Sequence, residues 1–118
     1  MRITEVEYRG ELPVDGYGPG FWRVGGRVID GAVLVGPGGV APWDGEVEAL
    51  LALKGAVDVI FLGMGAVIAP VPRALREALE EAGIGAEPMA SPTAARSYNV
   101  CLGEGRRVAA ALLPVPPK

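Results

Sequence analysis

Hydrophobic and polar positions alternate over short distances in the N-terminal third of the chain, which is the pattern of β-strands. Residues 3–8 alternate imperfectly and predict an edge strand. Two further β-rich runs, 21–24 and 27–35, flank Gly25-Gly26. Because glycine tolerates the positive φ of tight turns, these two runs predict a β-hairpin. Gly31, inside the second run, indicates a bulge or a close approach of the backbone.

Glycine and proline interrupt this pattern twice. Residues 10–20 and 36–45 are rich in both, and each stretch is predicted to be a loop. Trp43, in the second stretch, is expected to close one end of the core.

From residue 45 onward, the hydrophobic period changes to that of amphipathic helices, and three helices alternate with three strands. The helices are predicted over 45–54 with Asp44 as N-cap, over 70–82 with Pro72 in the first turn and Gly83 after the last, and over 91–102 with Ser91 as N-cap. The strands are predicted over 56–65, 84–89 and 106–115. The sequence therefore predicts a single α/β domain over residues 1–118, with a βαβ crossover behind an N-terminal hairpin.

Composition excludes several classes of function. The net charge of −3 disfavours nucleic-acid binding. The chain has no His and only one Cys, so a Cys-His pair, a disulfide within the chain and a zinc cluster cannot form, and we expect neither a metal nor a cofactor. Apolar neighbours predict that Cys101 is buried, with Arg96 as the nearest cation.

The sequence shows neither a secretory signal nor a membrane-spanning run. The first ten residues have no apolar core of a secretory signal, and no run reaches the roughly 18 apolar residues that span a bilayer. We expect a soluble cytoplasmic protein without an integral membrane segment.

Polar chemistry concentrates where the strand over 56–65 ends and the last helix begins. The turn Gly63-Met64-Gly65 follows that strand, and glycines there let backbone N–H groups approach an anion. The start of the helix adds the hydroxyls of Ser91 and Thr93, and Arg96 follows. One interpretation is an anion pocket; the other is ordinary helix capping with Arg96 bonded to loop carbonyls.

Tyr98 and Asn99 also allow two interpretations. They could line the same pocket, or they could fasten a loop, with the Tyr98 hydroxyl on a carbonyl and the Asn99 amide on stray backbone groups. A small basic cluster of Arg96, Arg106 and Arg107 is a further candidate anion patch. The candidate ligand-binding residues are therefore Gly63, Met64, Gly65, Ser91, Thr93, Arg96, Tyr98 and Asn99.

General acid–base catalysis requires paired carboxylates or a perturbed Lys, and the sequence indicates neither. Glu87 and Glu104 are the only acids that flank the last helix. We therefore expect no catalytic residue and a protein that is not an enzyme.

The segments "VDGYGPGFWRVGG", "FLGMGA" and "ALEEAGIGAEPMASPTAARSYNVCLGEGRRVAAALLP" resemble the Mth-like domain family, whose molecular function is unknown. The family includes a mitochondrial complex I assembly factor and an adipogenesis-associated protein. The resemblance covers most of the chain and is strongest over 57–113. The chain departs from the family pattern at Met64, Ala95 and Ser97, where relatives often have Thr, Cys and Thr. The family residues that it keeps are Gly63, Gly65, Glu87, Met89, Ala94, Arg96, Tyr98, Asn99, Glu104, Gly105, Arg106 and Val108.

The resemblance implies a three-layer fold around a mixed sheet whose last strand is antiparallel. It also implies a protein partner, in respiratory complex I assembly or in membrane-protein biogenesis. Two hypotheses follow: a non-enzymatic interaction or assembly factor, or a binder or enzyme for a small anionic ligand held by Gly63–Gly65 and Arg96.

Overall fold

The computed structural model describes residues 12–116, which form eight strands and three helices. The strands are β1 (Val14–Gly18), β2 (Phe21–Val24), β3 (Arg27–Asp30), β4 (Val33–Gly36), β5 (Gly39–Pro42), β6 (Val59–Gly63), β7 (Gly85–Met89) and β8 (Val108–Leu112). The helices are α1 (Val47–Leu51), α2 (Arg73–Glu81) and α3 (Ser91–Gly103). The strand predicted over 3–8 lies outside the described residues.

The five-stranded sheet has the order β5-β4-β8-β6-β7 and mixes both strand directions. β6 pairs in parallel with β7 and with β8, and β8 pairs antiparallel with β4. The last strand is thus central, antiparallel to one neighbour and parallel to the other. All five of its residues are buried, because both faces of the sheet are covered. The predicted mixed α/β class is confirmed.

Two hydrophobic clusters lie on opposite faces of this sheet. On one face, α3 packs over β6 and β8 and shares one hydrophobic cluster with the three-stranded sheet β1-β2-β3, with Trp22 and Tyr98 as the largest fully buried side chains. On the other face, α1 and α2 cover Ile60, Leu62 and the small side chains of β8. This arrangement gives the three layers that the family resemblance implies.

The N-terminal hairpin is confirmed, since Gly25 and Gly26 link β2 to β3 with φ of +59° and +80°. The two predicted loops are wrong in part, because β1 occupies 14–18 and β5 occupies 39–42. In each stretch one proline and one glycine, Pro19-Gly20 and Pro37-Gly38, form the turn that connects two antiparallel strands, while other glycines and prolines lie within the strands.

The predicted strand over 27–35 divides at Gly31, where φ is +80° and the chain leaves the small sheet for the large one. Two predicted helix caps are also wrong. α1 follows Glu46, while Asp44 accepts a hydrogen bond from the Glu46 N–H before the helix begins. α3 begins at Ser91 itself, because Ala90 is the N-cap and the Ser91 hydroxyl has other partners.

Candidate functional site

The turn Gly63-Met64-Gly65 follows β6, as predicted, but two of its backbone N–H groups are already hydrogen bonded. The Met64 N–H donates to the Met89 carbonyl at 2.8 Å, and the Gly65 N–H donates to Ser91 Oγ at 2.8 Å. An anion at this turn would have to displace these internal bonds. The turn therefore does not offer Met64 and Gly65 as free donors.

Ser91 joins three segments of chain at this point. Its Oγ donates to the Leu113 carbonyl at 2.7 Å, and its N–H donates to the Gly65 carbonyl at 2.7 Å. Leu113 in turn donates its N–H to the Gly63 carbonyl at 2.9 Å. A Cβ on Gly63 would lie 2.6 Å from Ser91 Oγ and 2.8 Å from Ser91 Cα, so only glycine fits here without displacement. We refer to Gly63, Gly65, Ser91 and Leu113 as the Ser91 clasp.

Arg96 does not meet this turn. It lines a groove with Val59 and Phe61, which point to the α3 side of the sheet. Met64 instead lines a separate cleft of about 180 Å³ with Leu62, on the side that α1 and α2 cover. The structure thus brings Gly63, Gly65 and Ser91 together but leaves Arg96 across the sheet from Met64. Thr93 is exposed in the first turn of α3.

The groove beside α3 is a concave feature that involves one of the predicted residues, Arg96, and it has a volume of about 480 Å³. α3 packs mainly over β6 and β8 and touches β7 little, so the sheet face beside the helix stays open. Neighbouring β6 and β7 residues in register form one side, and exposed α3 residues form the other. The lining residues are Val59, Phe61, Glu87, Arg96, Ser97, Val100, Cys101 and Arg106.

The groove combines an apolar surface with charged groups. Phe61 is nearly buried, while Val100 on the rim is 55% exposed. Arg96 is exposed and has no ion pair or hydrogen bond among residues 12–116. Arg106 lies near the thiol, with Nη1 3.6 Å from Cys101 Sγ, and Glu87 supplies a negative charge. An acidic group on a ligand would meet two guanidinium groups here.

The prediction of a buried Cys101 is wrong. The thiol is half-buried and faces the groove, because α3 does not extend over β7 and leaves this side chain at the open edge. The guanidinium beside it belongs to Arg106 rather than to Arg96.

Arg107 is separate from the other two members of the predicted basic cluster. Its Nη2 lies 2.6 Å from Asp58 Oδ1, and its Nη1 donates to the Gly55 carbonyl at 3.0 Å. The hydrogen bond from Arg107 lowers the pKa of Asp58 below its ordinary value, although partial desolvation opposes the shift. Arg107 thereby joins the start of β8 to the segment before β6.

Tyr98 and Asn99 fasten the start of β1, as one of the two interpretations predicted. The buried Tyr98 donates its hydroxyl to the Leu12 carbonyl at 2.7 Å. Asn99 Oδ1 accepts the Val14 N–H at 2.8 Å, and Nδ2 donates to the Val14 carbonyl at 2.8 Å. The Asn99 amide therefore pairs with the backbone of β1 at Val14 as a neighbouring strand would. Both side chains face this contact and not the groove.

Residues 12–116 contain no group of three or more His, Cys, Asp or Glu side chains placed to hold a metal ion. Over the same range, none of the helices has the length and hydropathy required to cross a bilayer.

Sequence reasoning missed most of the groove. The sequence pattern assigns Val59 and Phe61 only to a strand, and Val100 only to a helix. A signal was present, because alternate residues of one strand share a face and Val100 follows Arg96 by one helical turn. The pattern does not reveal which of these faces stays uncovered.

Comparisons with known proteins agree with this fold. A family model described as "Protein of unknown function (DUF498/DUF598)" matches residues 14–113. An uncharacterised protein of Rhodobacter capsulatus is 52% identical over 118 residues, covering 98% of this chain and 95% of that protein. The NADH dehydrogenase [ubiquinone] 1 alpha subcomplex assembly factor 3 of Danio rerio is 30% identical over 125 residues, covering 98% of this chain and 72% of the relative.

Solved structures are similar as well. A Bartonella henselae protein described as an outer membrane protein matches with a TM-score of 0.83 and 30% identity, over 91% of this chain and 98% of that one. A Bordetella pertussis protein described as a Mth938-like domain matches with a TM-score of 0.75 and 25% identity, over 91% of this chain and 88% of that one. The suspected resemblance to Mth-like domains is confirmed.

Proposed function

We propose that this chain, which belongs to the DUF498/DUF598 family of proteins of unknown function, is a non-enzymatic interaction or assembly factor. In this proposal, the groove beside α3 receives a segment of a protein partner. The observation that carries it is the combination of an apolar surface, formed by the exposed Val100 and the half-buried Val59, with Arg96 on the rim, which has no hydrogen bond or ion pair among residues 12–116. Arginine beside an apolar surface is typical of residues that dominate binding energy at protein interfaces.

The groove chemistry favours a partner segment with apolar and acidic residues. Apolar side chains of the partner would cover Val59, Phe61 and Val100, and a carboxylate would pair with Arg96 or Arg106. Glu87 would disfavour a carboxylate at its own end of the groove and so fix the orientation of the segment.

The Danio rerio relative supports an assembly role, because its name describes an assembly factor for a subcomplex of NADH dehydrogenase. We propose the respiratory chain or, more broadly, membrane-protein biogenesis as the setting of the partner, and the cytoplasm as the location of this chain.

The experiment uses the only cysteine of the chain. A photoreactive crosslinker attached to Cys101 places its reactive end in the groove, and mass spectrometry identifies what it captures in the native host. The wild type is compared with Arg96→Ala and with Arg23→Ala, which removes an exposed arginine of β2 on the three-stranded sheet. We expect Arg96→Ala alone to lose the captured protein while its melting temperature stays that of the wild type. Equal capture by all three proteins, or no capture, would contradict the proposal.

A second candidate function is the binding of a small anionic molecule in the same groove. It is favoured by one observation, that Arg96, Arg106 and the Ser97 hydroxyl line a volume within the range of ligand sites. Gly63 and Gly65 do not line this groove, so the anion would meet Arg96 without the Gly63–Gly65 turn. Phosphate-like anions that raise the melting temperature of the wild type but not of Arg96→Ala would favour this function over the first.

A further inference from the structure

The loop between β6 and α2 is the most exposed apolar segment of the described chain. Val67 is 70% exposed and Ile68 is 66% exposed, more than any other large hydrophobic side chain in residues 12–116. Residues 66–72 consist only of Ala, Val, Ile and Pro. We call residues 66–72 the apolar tip. Two adjacent aliphatic side chains in water favour burial against another apolar phase.

The base of the apolar tip is fixed to the protein. Val71 is half-buried and packs against the cluster that α1 and α2 form with the sheet. Pro70 and Pro72 restrict the backbone on either side of Val71. Val67 and Ile68 are thus held outward on an anchored loop instead of folding back onto the core.

Along the chain, the charged residues that follow the apolar tip first are positive, although the whole chain carries −3. Residues 59–76 contain no Asp or Glu, and they include Arg73 and Arg76 in the first half of α2. The acids of α2 follow at Glu77, Glu80 and Glu81, farther along the helix. Arg73 pairs with Glu77 at 3.3 Å, but both side chains are well exposed, and such pairs exchange partners readily.

We propose that the apolar tip docks this protein on the surface of an anionic lipid bilayer. Val67 and Ile68 would enter the boundary between headgroups and acyl chains, while Arg73 and Arg76 would meet anionic headgroups. A bilayer suits this exposed tip, because it requires no matching cavity and accepts purely aliphatic side chains. With two apolar residues and two arginines, the contact is weak, reversible and sensitive to salt.

Two acidic residues beside the apolar tip restrict how it can approach an anionic surface. Trp43 and Gly45 line the cleft beside Val71, and Asp44 and Glu46 are exposed in that segment. Their charges oppose close approach on that side. We therefore expect the protein to approach the bilayer with the tip and the start of α2 and to keep the Asp44 side in water.

Cosedimentation with vesicles tests the proposal. The full chain is mixed with vesicles of phosphatidylcholine alone or with about one third phosphatidylglycerol. We expect binding only to the anionic vesicles, reversed by high salt. Val67→Ser with Ile68→Ser should reduce partitioning at least about tenfold, and Arg76→Gln about fivefold. Val28→Ser, at a residue of β3 that is 56% exposed, is the matched control and should bind as the wild type does.

A fluorescent label identifies the face that touches the lipid. In a Cys101→Ser background, an environment-sensitive dye is attached to Val67→Cys or, as control, to Val28→Cys. Anionic vesicles should shift the emission of the first dye to the blue and leave the second unchanged. The proposal is overturned if the wild type does not sediment with anionic vesicles or if the Ser double variant sediments as the wild type does. It is also overturned if the emission of the tip dye shifts with protein concentration in the absence of vesicles, which would indicate self-association. Arg96→Ala should sediment as the wild type does, which separates this test from that of the groove.

Discussion

Replacing Asn99 with alanine should loosen the start of β1. The Asn99 amide makes two hydrogen bonds of 2.8 Å to the backbone of Val14, one as acceptor and one as donor. Alanine lacks both the acceptor and the donor of the Asn99 amide. It leaves the N–H and C=O of Val14 facing a helix surface, where water reaches them only in part.

The expected loss is about 2 kcal/mol of unfolding free energy, because each of two half-buried groups loses a bond worth about 1 kcal/mol. For a chain of this size that corresponds to a fall of roughly 8 °C in the melting temperature. Asn99→Asp should cost more near neutral pH, because it keeps the acceptor for the Val14 N–H but directs a carboxylate oxygen at the Val14 carbonyl. Acidification should restore part of that loss, since the protonated carboxyl group of this variant can again donate to the carbonyl.

Urea denaturation of the wild type and both variants at several pH values measures these differences, and amide exchange reports directly on the Val14 N–H. Ser97→Ala is the control, because it lies on the same helix and its hydroxyl makes no hydrogen bond within residues 12–116. A stability of Asn99→Ala within about 0.5 kcal/mol of the wild type, or an Asn99→Asp variant no less stable than Asn99→Ala near neutral pH, would show that Asn99 does not fasten β1.

Two further predictions concern other contacts. Gly63→Ala should lower the free energy of unfolding by about 1–3 kcal/mol, because the added methyl group overpacks against Ser91 and Leu112. The control Gly38→Ala, at a glycine with open space around it, should unfold in urea like the wild type. Equal stabilities of the two variants would contradict the close approach at Gly63. Asp58→Asn removes the pair with Arg107. Because folding lowers the pKa of Asp58, the pair stabilises the fold above the ordinary pKa of an aspartate, and this contribution disappears as the pH falls through the lowered value. The difference in stability between wild type and Asp58→Asn, measured in urea, should therefore be constant from neutral pH down to about 5 and should disappear as the pH falls below about 4. A difference that persists at low pH would contradict a stabilising role of this ion pair.

Local patterns were enough for much of the fold. The hairpin at Gly25-Gly26, the buried strand over 59–63 and the helices α2 and α3 follow from turn chemistry and hydrophobic period, which depend on residues close in sequence. The fastening role of Tyr98 and Asn99 was also foreseeable, because their side chains carry the donors and acceptors that a loop requires. Strands β1 and β5 were missed because their glycines and prolines mask a pairing that only the neighbouring strand establishes.

The candidate site depended on tertiary structure. The sequence placed Gly63–Gly65, Ser91 and Arg96 near the same end of the sheet, and it determined the residue types present there. The rotation of α3 on the sheet decided the rest: Ser91 turns into the Gly63–Gly65 turn and consumes its donors, while Arg96 turns toward Cys101 and Arg106. The exposure of the groove was likewise decided by α3 covering β6 and β8 but not β7. These outcomes depend on packing between residues that are distant along the chain. The local pattern therefore determined most helices and strands but not which surface the packed helices and strands leave open.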